Sequence, residues 1–191
     1  MNMKRELVLA VGLAAALLTG CEKKEAGAPA PAPQQEAAQP AATAAATATE
    51  TFSNSLPAPL AGKKFQPGGK ANAELLNKKK FEKIADVSSE DGFELDGWAF
   101  DEKSKSVPET VVIELVSSAD GSKYYATASR STRKRDDVAK FFKEPAFEKA
   151  GYQVNADIKA VPPGEYEIIV VQLIDGKPNR AYPARKINKL N

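Results

Sequence analysis

Histidine is absent from the 191 residues and cysteine occurs once, as Cys21. A His-based triad, a His-ligated metal, a Cys-x-x-Cys redox site, a Cys-rich zinc site and an intramolecular disulfide are therefore excluded. A charge excess is missing too. The 27 basic side chains face 25 acidic ones, a formal net charge of +2, which is too near neutrality for a nucleic-acid binder. The apolar run from Leu7 to Leu18 falls short of the roughly twenty residues a membrane-spanning helix needs. Tryptophan occurs once, at Trp98. Nothing in the residue pattern calls for a cofactor, and no Ser-x-x-Lys motif stands out in a context that would support a serine nucleophile.

What is present begins with an export signal. Lys4 and Arg5 precede the apolar run, and Thr19 and Gly20 lead into Cys21, the order of a secretory signal over residues 1–20. Leu18-Thr19-Gly20-Cys21 resembles the lipobox of bacterial lipoproteins. The resemblance implies that the Cys21 thiol takes a diacylglyceryl group, that the signal is cut before it, and that the new amino terminus is acylated. Each buried methylene contributes about 0.8 kcal/mol, so three chains would hold the protein on a membrane. Many enterobacterial inner-membrane lipoproteins carry Asp where this chain has Glu22, so the same resemblance favours the outer membrane, facing the periplasm. The alternative is a plain soluble-export signal.

From Glu22 to about Lys79 the chain is rich in Ala, Pro, Gln and Thr, and aliphatic residues larger than alanine are nearly missing before Leu56. Little apolar surface is available to offset the entropy of ordering. Residues 21–79 are accordingly expected to be the acylated terminus and a disordered tether. Within it, Phe65 to Lys70 reads as a turn, and Ala73 to Lys83 as one short amphipathic helix with Leu75, Leu76 and Phe81 on its apolar side. Lys78, Lys79 and Lys80 read as a solvated face.

Residues 80–191 have a different texture, with short β-branched and aromatic runs punctuated by Gly, Pro, Asp and Ser. Strands are expected at Lys83 to Val87, Gly92 to Phe100, Thr110 to Val116, Lys123 to Ser129, Tyr152 to Ile158, Glu165 to Ile174 and Lys177 to Ile187. The last contains prolines and belongs at an edge. Gly97 stands where the alternation changes parity, which suggests a bulge or sharp twist. About seven strands in this length point to a mainly β domain, a two-sheet sandwich. Val138, Phe141 and Phe142 have helical spacing, so a short helical insert is expected over Asp136 to Phe147.

Four stretches then carry a resemblance: Gly97-Trp98-Ala99-Phe100-Asp101, Arg135-Asp136-Asp137-Val138-Ala139, Gly151-Tyr152 and Pro163-Gly164-Glu165-Tyr166. Together they resemble an immunoglobulin-like module recurring in bacterial surface and glycan-related proteins. The resemblance implies an accessory, non-catalytic domain and brings no site residue with it.

Three places could carry function. Trp98 suits stacking on a sugar, but a sandwich usually buries one large aromatic between its sheets, and that core role is the expectation. Arg135 with Asp136 or Asp137 could clamp a ligand; the structural reading, in which the guanidinium fork fixes the helical insert, ranks first. Arg130, Arg133 and Lys134, next to Arg135, form the densest basic cluster, a solvated loop by default and otherwise a contact for an envelope polyanion. Asp91, Asp96, Asp101 and Glu102 could offer oxygen to calcium but lack the spacing of a known loop, and no metal site is expected. The functional expectation is a lipid-anchored envelope protein presenting a non-catalytic binding or scaffolding module. Its partners would be the membrane, through Cys21, and an envelope polyanion, glycan or protein. An alternative is a subunit of a secretion, pilus or cell-wall complex recruited by edge-strand pairing. A glycan-acting enzyme ranks last.

Overall fold

The computed structural model describes residues 49–130 and 134–191. The predicted signal, Cys21 and the tether as far as residue 48 lie outside the described residues, and so does Arg133. The strands are β1 (Glu50–Thr51), β2 (Gln66–Pro67), β3 (Lys70–Leu76), β4 (Lys79–Lys80), β5 (Ile84–Val87), β6 (Phe93–Phe100), β7 (Thr110–Ser117), β8 (Lys123–Arg130), β9 (Gly151–Asp157), β10 (Gly164–Ile174) and β11 (Lys177–Lys189). All seven runs read as strands from the sequence are among them. The other four, β1 to β4, precede them, so the described residues hold eleven strands rather than about seven.

The described residues are mainly β, with one α-helix, α1 (Asp136–Phe142), followed by a 3-10 turn over Pro145–Lys149. That is the predicted insert. Lys143, at φ 54°, turns the chain out of α1, and the Glu144 carboxylate accepts the Ala146 N–H to start the 3-10 turn.

The hydrogen-bonded ladder runs β2-β11-β10-β7-β8-β9-β6-β3-β4, with β1 added to β9 and β5 to β11. In hydrogen-bond terms the expected two sheets are one open sheet, because the end of β8 leaves β7 and pairs Ser129 and Arg130 with Gln153 and Tyr152 of β9. Its two halves meet across one core. Ala73, Leu95 and Val154 from one side pack with Ile113, Leu115, Ile168 and Val170 from the other. Removing such side chains from water stabilises the fold by about 1.5–3 kcal/mol each. The Pro-containing strand β11 pairs fully only with β10; Pro183 sits where the register slips opposite Ile169, a bulge position that spares the ladder a missing donor.

The tether does not extend to residue 79. Phe52 is fully buried, its ring edge-on to Phe93 at 5.1 Å. Leu60, with Leu56 and Phe65, covers the outer face of β7, β8 and β10 through Val112, Tyr125, Ile169 and Val171. Phe52 thus joins the main core, and residues 56–67 are a strap over the outer face of the sheet. The few large apolar residues in that stretch looked too sparse to order it. Each nevertheless drops into a place that an already formed sheet provides, so burial is gained without the strap needing a core of its own. Beneath the strap, the fully buried Glu114 receives Arg180 at 2.8 and 3.0 Å and Lys123 at 3.0 Å, and the Phe65 ring lies 4.2 Å from the Arg180 guanidinium carbon.

The helix expected over Ala73 to Lys83 is instead a hairpin of β3 and β4. Asn77 and Lys78, at φ 48° and 65°, form its two-residue turn, a geometry whose twist suits paired strands. Asn77 fixes the turn to the neighbouring strand by donating to the Gly92 carbonyl and accepting the Glu94 N–H.

Two outcomes are expected. Limited proteolysis should leave a stable fragment starting near residue 50, and a product starting near Phe81 would contradict the strap. Phe52→Ala should lower stability in urea denaturation by about 3–5 kcal/mol, the usual cost of emptying a buried aromatic site.

Candidate functional site

The residues singled out at Trp98, Arg135 and Asp137 converge on a fourth that the sequence reading did not select, Glu74. β3 carries a bulge between Ala73 and Leu75, opposite Gly97 and Asp96 of β6. A bulge turns the extra residue away from the regular alternation, and the Glu74 carboxylate accepts the Trp98 indole N–H at 3.0 Å. The same carboxylate takes Arg135 Nη1 at 2.9 Å and Nη2 at 3.2 Å. Arg135 also donates to Asp137, with Nε to Oδ1 at 2.9 Å and Nη2 to Oδ2 at 2.7 Å, and from Nη1 to the Gly97 carbonyl at 3.5 Å.

Arg135 immediately precedes α1 and is 9% exposed. Asp137 is in the first turn of that helix, where a carboxylate is also favoured by the backbone N–H groups. One guanidinium therefore joins β3 to the insert through two bidentate contacts, an arrangement an ammonium group cannot reproduce. Hydrogen bonds from Arg135 hold the Asp137 carboxyl down at about 2, and in turn Asp137, with Glu74, pushes the Arg135 guanidinium further up.

Gly97 makes the junction possible. A Cβ there would stand 2.0 Å from the Asn72 carbonyl oxygen and 2.5 Å from the Tyr152 hydroxyl. The fully buried Tyr152 donates to that carbonyl at 3.1 Å, and burial first, then the neighbouring Glu74 and Asp96, pushes its phenol up. Glu74, Asp96, Gly97, Arg135, Asp137 and Tyr152 line a cleft of about 260 Å³. Its guanidinium is already committed to protein carboxylates, so the arrangement acts as a clasp and offers no free cationic fork to a ligand.

Trp98 is not between the two halves of the sheet. It is half-buried on the other face of β6, stacked on Phe100 at 5.2 Å and edge-on to Phe142 at 5.6 Å. Phe100, Val138, Ala139, Phe147 and Ala150 form the buried part of this small core under the insert. The alternation of β6 in fact runs unbroken through Gly97, the bulge being in β3 opposite: Phe93, Leu95 and Ala99 face the main core, while Trp98 and Phe100 keep the other face and meet α1. Phe141, expected on the apolar side of α1, points out instead and is 78% exposed, the most exposed large hydrophobic residue among those described.

The basic cluster does not form one free patch. Arg130 donates to the Pro108 carbonyl at 2.7 Å, Lys134 stands 3.6 Å from Glu148, and Arg133 lies outside the described residues. The four carboxylates weighed for calcium are not gathered either. Asp91 accepts the Ser88 hydroxyl, Asp101 caps the N–H groups of Lys103 and Ser104, and Glu102 pairs with Lys70. Among the described residues no group of three or more Asp, Glu, His or Cys could hold a metal. A larger open cleft of about 430 Å³ lies between residues 66–70, 101–104 and the β10–β11 turn. Ser89 accepts a hydrogen bond from the buried Lys189 ammonium at 2.6 Å, but the pair lines none of these clefts and ties the end of β11 to the loop after β5.

Comparison with models of protein families, with curated proteins and with solved structures found no match for this chain.

The clasp makes a pH prediction. The folded Asp137 pKa lies near 2 against an ordinary 3.8, so its contribution is fully present above about pH 4 and is lost as pH falls through 2. Removing the guanidinium with Arg135→Ala should flatten this part of the acid limb in a stability–pH profile. Because Arg135 is buried but Asp137 is largely exposed, the loss at pH 7 should be about 1–3 kcal/mol, with Arg135→Lys recovering only part of it. Unchanged profiles in both variants would remove the clasp.

Proposed function

We propose that this chain is a lipid-anchored protein of a bacterial envelope that presents a non-catalytic β module for binding or scaffolding. The observation that carries the reading is the position of the chain's only cysteine, directly after a basic, apolar and small-residue sequence. Acyl chains on Cys21 would hold it on the membrane, and Glu22 favours the outer membrane facing the periplasm. Residues 22–48 separate Cys21 from the first described residue, a contour of at most roughly 90 Å. The immunoglobulin-like kinship rests on the four motif stretches, two of which lie on residues with structural duties at the junction of β6 and the insert: Gly97 in the close approach, Arg135 and Asp137 in the clasp.

Recruitment by strand addition draws less support from the sheet edges. The ladder ends in β2 and β4, each two residues long and carrying Pro67 or Lys79 and Lys80, the kind of short, charged or proline-bearing edge that resists pairing. The Lys70 and Ala73 carbonyls of β3 accept Gln172 and Arg185 side chains. A binding surface away from the edges fits better.

Cys21→Ala should release the protein to the soluble periplasmic fraction or leave an uncleaved precursor. Mass spectrometry of the mature wild-type protein should find Cys21 acylated; an unmodified Cys21 there would refute the anchor.

A further inference from the structure

The insert has an outer surface that its structural duties do not explain. Phe142 points inward, among Trp98, Phe100 and Phe147. Its neighbour Phe141 stands 4.9 Å away, ring centre to ring centre, and leaves 78% of its surface in solvent. The support below it is rigid, because Phe100 stacks on Phe147 at 3.9 Å and the Arg135 clasp fixes the start of α1. An aromatic side chain held outward on a braced seven-residue helix is presented to something.

The charges around it indicate what. On the insert, Glu144 is paired with Lys105, Glu148 with Lys134 and Asp137 with Arg135. Lys140, Lys143 and Lys149 are exposed and make no ion pair among the described residues, and Asp136 is the one acidic residue of the insert without a basic partner. Three unpaired cations against one unpaired anion leave this surface locally positive, although the whole chain is near neutral. An exposed phenyl ring beside long, cationic side chains matches the boundary of an anionic bilayer. The ring enters the acyl region, while the lysines lay their stems along it and keep their ammonium groups at the phosphates.

We propose that Phe141, flanked by Lys140 and Lys143, is a membrane-docking tip that inserts into an anionic phospholipid surface. The proposal rests on the lipid-anchor reading, which brings a bilayer within reach. The insert joins β9 at Gly151, and β1 pairs near the other end of β9, at Ala156 and Asp157. The junction of the insert with β9 is thus about 17–20 Å along that strand from the β1 pairing, well inside the contour of residues 22–48. The domain would then lie against the membrane, held at two points, rather than stand off on its tether.

The test uses the whole acylated chain in vesicles, with Phe141→Cys labelled by a polarity-sensitive fluorophore, Cys21 being blocked by its acyl groups. Ala160→Cys, exposed beyond the far end of β9, serves as the reference position. In phosphatidylglycerol–phosphatidylcholine vesicles the label at 141 should shift to the blue and be quenched by spin-labelled lipid, while the label at 160 does neither. The shift should shrink in pure phosphatidylcholine, in the Lys140→Ser, Lys143→Ser background, and as salt rises above about 0.1 M, where screening acts within about 10 Å. Vesicle flotation of the unlabelled chain and its Cys21→Ala variant reads the anchor separately, so either idea can fail alone. An unshifted label at 141 in anionic vesicles, or one shifted only in native membranes that contain protein, would overturn the lipid proposal. The second outcome would assign the tip to a protein partner.

Discussion

At Gly97 two strands and a tyrosine hydroxyl occupy the space a side chain would need. That close approach lets Tyr152 reach the Asn72 carbonyl and sets the β3 bulge that turns Glu74 toward Trp98 and Arg135. Everything on the insert side depends on it. The glycine brings β3 in, the bulge re-aims the carboxylate, and the carboxylate together with Asp137 holds the guanidinium that starts α1. A methyl group at 97 would disturb backbone rather than the free end of a flexible side chain, so the structure has no inexpensive way to yield.

The same economy applies on the opposite side of the sheet. β7 and β10 are apolar on both faces, which requires cover on both. The main core covers one face, and residues 56–67 cover the other. Glu114 sits in that second layer with no exposure, a position that would be costly for a lone carboxylate. Arg180 and Lys123 satisfy it, and Phe65 lies over the arginine. The strap therefore closes the layer over a buried ion group as well as adding apolar contact.

Where the ladder does not close, side chains complete it. Between β11 and β3 no strand hydrogen bonds form, but Arg185 donates to the Ala73 and Phe81 carbonyls at 3.3 and 3.0 Å and to Asn72 Oδ1 at 3.4 Å. Gln172 donates to the Lys70 carbonyl at 3.0 Å, its amide packed against Gly69, where φ of +73° and the absence of a Cβ leave room for it. These contacts satisfy carbonyls that an open sheet would otherwise present to another chain, and so direct attention from the edges to the insert.

Period-two alternation, β-branched runs and turn residues were enough to mark seven strands, the insert and the mainly β class, because each is a local preference written within about ten residues. The continuous apolar runs Val111-Val112-Ile113 and Ile168 to Val171 also implied a cover on the outer face, a signal that could have placed the strap. Nothing local showed that Leu56, Leu60 and Phe65 would provide it, since their burial depends on strands far along the chain. Likewise Leu75 and Leu76 fit a helical spacing as readily as a strand, and pairing with β6 decided between them. Arg135 and Asp137 were legible as a pair, being two residues apart. Glu74 was not, because it reaches Arg135 across 61 positions and only through a bulge. Phe141 looked like core from its spacing and became surface because a seven-residue helix has room for only one buried face. Sequence alone determined which segments prefer to be strands. The tertiary structure decided which side chains meet, since those meetings are set by register, twist and the space left at Gly97.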